Sequence, residues 1–272
     1  MTVPFIHRNP TKKEFERFRL ILSTYQDGSG QQAAKDLQTL PGWRDFERSA
    51  ALAFGGIAQE SKFIFDVLIP DPKRKDVYFG LSCKMRRTLN DTRRTGRVTL
   101  ELSNSSGTFW EQLGQIGINQ QNYKGKPLEV AQALLAQEKE WHDSAGLDRD
   151  GAVDLDRSFY LALSWNTQGE YQLFKFSLQL PSPTQLTWDF PMVKNNGEER
   201  HGRRLRGQDQ YGTLFEWYGE SGGQLKYYPL VENALWKSEV FNLEPLPKNW
   251  QAKHGILKKA KDYFPDRWNN LI

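Results

Sequence analysis

Apolar and polar positions first alternate with helical spacing. Phe15, Phe18, Leu22 and Tyr25 recur on one face of residues 10–25, behind a Pro10-Thr11 start signal. They predict an amphipathic helix, ended by Asp27-Gly28-Ser29-Gly30. A short second helix is expected over Gln31–Leu40. A third is expected over Gly42–Gln59, with Trp43, Phe46, Ala50, Leu52, Ala53 and Ile57 on its apolar side. The period then changes. Phe63–Ile69 is apolar and β-branched apart from Asp66, Pro70-Asp71-Pro72 interrupts it, and Val77–Lys84 is a second such run. These read as two paired central strands. Each carries one charge, Asp66 or Lys84, that an apolar interior accepts only when paired or liganded.

Further on, Met85–Arg97 reads as a loop that can hold a helical turn, and Val98–Leu102 alternates like a third strand. Ser103–Gly107 offers hydroxyl and amide caps to a helix starting at Phe109, and Pro127–His142 is amphipathic. From Ser158 the character is β. Ser158–Trp165 and Tyr171–Leu180 flank Asn166-Thr167-Gln168-Gly169, a hairpin signal, and Leu186–Met192 is a further strand. Asn195–Gly207 is polar, basic and Gly-rich, and reads as a long loop. Strands at Gly212–Tyr218 and Gln224–Pro229 flank another turn, and Asn249–Lys261 suggests a short basic helix.

Composition narrows the class. With 272 residues, 9 Trp, 10 Tyr and 16 Phe, the chain can bury a substantial core and is not of disordered type. A single cysteine, Cys83, excludes an internal disulfide and a Cys-based zinc site, which fits a reducing compartment. No apolar run reaches membrane-spanning length and the first residues do not read as a signal peptide, so a cytoplasmic location is expected. Net charge is only +4, but nine Lys or Arg stand between Lys73 and Arg97 against Asp76 and Asp91. Such a local excess suits a polyanion.

Asp66 on one strand and Ser82-Cys83-Lys84 on the next carry the candidate chemistry. On a strand, residues 82 and 84 share a face, while the Cys83 carbonyl is free to turn elsewhere. Read by themselves, Asp66 and Lys84 also suit a buried ion pair between neighbouring strands. Together with Glu47 in the preceding helix and the arginines after Lys84, the pattern resembles the PD-(D/E)XK nuclease superfamily. The resemblance covers roughly residues 43–165. It implies that Asp66 and the Cys83 carbonyl bind Mg²⁺ and that Lys84 positions the attacking water. Ser82 departs from the family pattern, which has an acid there. It would hold a metal-bound water, and Glu47 or Glu60 would supply the missing carboxylate. Read from the residues alone, Glu47 equally suits a solvent-facing pair with Arg44 or Arg48.

The expected fold is therefore α/β: a PD-(D/E)XK (restriction endonuclease-like) core with a mixed central sheet flanked by helices, plus a β-rich C-terminal extension. The sheet would be built from 63–69, 77–84, 98–102 and 159–165. One nuclease domain spans 1–272, with a helical N-terminal part (1–42), a catalytic core (43–165) and a DNA-recognition extension (166–272). Size and the basic β-rich extension look most like a Type II restriction endonuclease, a homodimer that cuts double-stranded DNA with Mg²⁺. Arg86, Arg87, Arg93, Arg94, Asn104 and Ser105 are candidate phosphate contacts, and Arg203, Arg204 and Arg206 candidates for base recognition. A repair or structure-specific nuclease of the same fold, or a DNA-binding protein that has lost its metal site, stands as the alternative.

Overall fold

The computed structural model describes residues 6, 8–33, 39–59, 64–104, 107–195, 198–219, 223–251 and 253–271. Glu60, Phe63 and Ser105 lie outside these residues. In chain order, α1 (Lys12–Ser23), β1 (Gln32–Ala33), β2 (Thr39–Leu40) and α2 (Trp43–Phe54) precede β3 (Ile57–Ala58), β4 (Val67–Pro70) and β5 (Tyr78–Arg86). Next come α3 (Leu89–Thr95), β6 (Leu100–Asn104), α4 (Gly107–Gln115) and α5 (Pro127–Ala145). The hairpin β7 (Phe159–Trp165) and β8 (Glu170–Ser177) is followed by β9 (Thr187–Asp189), β10 (Met192–Asn195), β11 (Glu198–His201), β12 (Arg204–Asp209), β13 (Gly212–Tyr218) and β14 (Gln224–Tyr227). Then β15 (Trp236–Lys237), β16 (Phe241–Asn242), α6 (Ile256–Tyr263) and α7 (Pro265–Asn269) complete the chain.

Two compact units result. The first comprises residues 1–90, 145–178 and 234–272, the second 91–144 and 179–233. These bounds cut across the expected divisions at 42 and 165.

The first unit is α/β. Its sheet runs β15-β8-β7-β5-β4-β3, with β16 also on β8. It is mixed, because β5 pairs parallel with β7 while the other pairings are antiparallel. Phe79, Leu81 and Cys83 of β5 join Val67, Ile69, Leu161 and Leu163 on one face. That face shares a core with Phe18 and Leu22 of α1, Phe46 and Ala50 of α2, and Ala260 and Tyr263 of α6. Thr11 and Glu14 cap α1 reciprocally, at 3.2 and 2.8 Å. Gly55, at φ 77°, ends α2 in the left-handed region that glycine tolerates. Among the described residues, no helix is long and apolar enough to cross a membrane.

The second unit has an antiparallel sheet, β6-β14-β13-β12-β9, and a separate ribbon of β10 and β11. Trp217 is fully buried, with Phe109, Trp110 and Tyr123 ringed about it at 5.3–6.1 Å between centroids.

Three expectations are corrected. The strand expected at 98–102 is not in the central sheet: as β6 it pairs with β14 in the second unit. The difference is physical. β7 is buried on both faces, whereas β6 alternates Leu100 and Leu102 with Glu101, the pattern of a sheet with one wet face. Gln31–Leu40 is not a helix at its described ends but the pair β1 and β2. There the Thr39 hydroxyl bonds the Tyr25 carbonyl at 2.5 Å and receives the Gly30 N–H at 3.0 Å. In its described residues the tract 195–207 is no irregular loop, since it forms β11 and the start of β12. In the run after Lys84, β5 extends to Arg86 and the helical turn allowed there is α3.

Candidate active site

Two acids in α2 have opposite fates. Asp45 Oδ2 accepts the N–H groups of Gly42 at 2.8 Å and Gln31 at 2.9 Å, so it caps the helix. Glu47, two residues on, is 9 % exposed. It is therefore not the solvent-facing side chain that pairing with Arg44 or Arg48 would make it. Burial raises its pKa to about 7; the negative charge of Asp66 adds to the rise, while Arg44, Lys84 and Arg48 oppose it. Glu47 thus lies within electrostatic reach of both Asp66 and Lys84.

Asp66 sits where β4 leaves β5. Its N–H still bonds the Leu81 carbonyl at 3.0 Å, and the paired ladder starts one residue later, at Val67 and Leu81. The preceding Phe65 ring lies on Gly80, where a Cβ would come within 2.4 Å of it. Only glycine at 80 leaves that ring its place, and the ring anchors the chain beside Asp66. Asp66 Oδ2 then receives the Cys83 N–H at 2.6 Å. Burial raises the Asp66 pKa against the pull of Lys84 and of this hydrogen bond. Strand geometry turns the N–H and C=O of one residue to the same edge, so the Cys83 carbonyl faces the Asp66 side. The Cys83 side chain points into the core, where burial pushes its thiol pKa up. Its part in the site is that of its backbone.

Ser82 is buried and Lys84 half-buried, and both lie on the face of β5 opposite Cys83. The structure thus brings together Glu47, Asp66, Cys83 and Lys84, with Ser82 between the last two on the strand. Glu60 lies outside the described residues, and among those described no three His, Cys, Asp or Glu side chains converge. The available donors are two carboxylates and one backbone carbonyl. An all-oxygen set of this kind fits a hard cation such as Mg²⁺. Two buried carboxylates with raised pKa values, Glu47 raised further by the charge of Asp66, are the setting that such a cation relieves.

The expected DNA contacts divide. Arg86 extends β5 in the first unit and is half-buried; desolvation lowers its pKa. The Arg87 guanidinium lies 6.0 Å from the Trp165 ring centroid. Arg93 and Arg94 are exposed on α3, and Arg94 pairs with Asp91 at 2.9 Å. The Asn104 backbone ends β6. Arg203 is exposed just before β12. Arg204 stacks over Tyr218 at 4.6 Å, so it is engaged within its own sheet, while Arg206 registers opposite Asp189 and Glu216.

Helical spacing puts Trp43 on the apolar side of α2, yet it is exposed. Its position four residues before Glu47, on the same helix face, was the signal available.

The chain matches no known family model, no curated protein and no solved structure.

Proposed function

We propose that the protein is a metal-dependent phosphodiesterase of the PD-(D/E)XK nuclease type. The observation that carries this reading is the shared electrostatic environment of Glu47, Asp66 and Lys84 at the point where β4 leaves β5. Within that class the particular reading is a Type II restriction endonuclease, a homodimer acting on double-stranded DNA, with the second unit as the source of sequence recognition.

Glu47, Asp66 and the Cys83 carbonyl would hold Mg²⁺. The ion would supply Lewis-acid polarisation of a phosphate oxygen and a lower pKa for bound water. Lys84 orients the attacking water and offsets the negative charge that grows on the phosphate. Ser82 holds water on the same face of β5. Arg86 and Arg87, directly after Lys84, suit the phosphates that flank the scissile bond.

Plasmid incubated with Mg²⁺, with and without chelator, tests the reading. Discrete fragments that depend on Mg²⁺ and vanish in Lys84→Ala are expected. A smear without defined ends would favour a structure-specific nuclease of the same fold. A specific observation favours a second reading, a DNA-binding protein that has lost catalysis: Ser82 stands where an acid would, and only two acidic side chains are described at the site. Intact plasmid that is nevertheless retained in a gel shift would select it.

A further inference from the structure

Of the nine tryptophans, only Trp43 is exposed, at 53 %. It opens α2 one turn ahead of Glu47 and on the same helix face. The Arg44 guanidinium lies 4.8 Å from the Trp43 ring centroid, and Arg44 is also among the charges that act on Glu47. An accessible indole therefore stands beside the candidate site with a cation against it.

The geometry points to Trp43 and Arg44 as a stacking platform for a nucleobase that lies outside the helical stack next to the scissile phosphate. An indole face with a neighbouring guanidinium is what an unstacked base binds, through stacking and cation–π attraction. A base inside a duplex already has neighbours on both faces and cannot use the platform. The substrate is accordingly a strand with an unpaired base beside the cut, or a duplex from which one base is extruded. This rests on the nuclease reading for the identity of the neighbouring site.

The test is equilibrium binding in chelator, where no turnover occurs. Three labelled DNA duplexes are compared: blunt, bearing a short single-stranded flap, and bearing the same flap made abasic. The flap with bases is expected to bind roughly tenfold more tightly than the abasic flap. Trp43→Ala should erase that difference and Trp43→Phe should keep most of it. A blunt duplex that binds as well as the flap, and loses as much on Trp43→Ala, supports the platform with the base extruded from a paired stack. Equal affinity for both flaps without such a loss, or a Trp43→Ala protein that keeps the preference, overturns the proposal. Cleavage with Mg²⁺ is read separately. Absent cleavage with an intact base preference removes the nuclease reading alone, and cleavage without the preference removes the platform alone.

Discussion

In the five-stranded sheet, Asp189, Arg206, Glu216, Lys226 and Glu101 stand in one row across the strands, so each charge has an opposite one beside it. Lys226 reaches Glu101 at 3.7 Å, and Glu216 accepts the hydroxyls of Tyr218 and Tyr228 at 3.0 and 2.8 Å. In the seven-stranded sheet's unit, Glu47 and Asp66 are like charges, and burial raises both pKa values. The first arrangement alternates in charge by itself. The second is relieved only by a proton or a cation. Charged residues of similar type thus serve architecture where register pairs them, and chemistry is to be sought where it does not.

The largest effects should come from breaking the second arrangement. Lys84→Ala and Asp66→Ala are expected to lower Mg²⁺-dependent cleavage by at least about a thousandfold, with far-UV circular dichroism unchanged. Full activity in either variant would remove the assignment. Glu47→Gln should cost about a hundredfold and raise the Mg²⁺ concentration needed for half-maximal rate. Ser82 shares a face of β5 with Lys84, two residues on, so Ser82→Asp in the Glu47→Gln background returns a carboxylate to that strand. It is expected to recover part of the lost rate; no recovery would mean that Glu47 acts other than as a ligand.

Stability against pH sharpens the same contrast with a smaller effect. The Glu47 pKa in the fold, about 7, lies above its ordinary value of 4.5. Between those values the folded chain binds more protons than the unfolded chain, so this contribution is full below pH 4.5 and is lost as pH rises through 7. The loss is of order 3 kcal/mol. Asp66, also raised, acts in the same direction. Urea unfolding without metal should therefore give lower stability at pH 8 than at pH 5.5. Mg²⁺ should stabilise more at the higher pH, and Glu47→Gln should flatten the profile. An unaltered profile in Glu47→Gln would locate the pH dependence elsewhere.

Much of the first unit was legible in the chain, because period and punctuation agree there. The helix opened by Pro10-Thr11, the apolar run ending at Lys84 and the Asn166–Gly169 hairpin all form close to their expected bounds. The apolar runs around them singled out Asp66 and Lys84, since a charge within an apolar strand run is informative wherever it falls. Strand pairing was less legible. Val98–Leu102 satisfies any half-buried antiparallel partner, and nothing within the segment names β14. The fate of Glu47 was not legible either. The same helical spacing serves a solvated acid or a buried one, and its burial follows from the sheet that α2 covers. Arg204 and Arg206 looked like loop residues because the tract around them is Gly-rich, whereas cross-strand pairs decide their conformation.

The smallest expected effect belongs to the paired sheet. Arg204 lies over Tyr218 and 3.8 Å from Glu216, with its side chain more than half exposed. Solvent screens such a pair, so Arg204→Ala should lower unfolding free energy by less than about 1 kcal/mol in urea. If its guanidinium is engaged within the sheet, the salt dependence of DNA binding should not change in this variant. Titrating binding across a series of salt concentrations decides the matter. A log–log slope that falls by about one would mean that Arg204 neutralises a phosphate. The row across the five-stranded sheet would then also be a DNA-contacting surface, and the contrast between the two units would no longer separate architecture from chemistry.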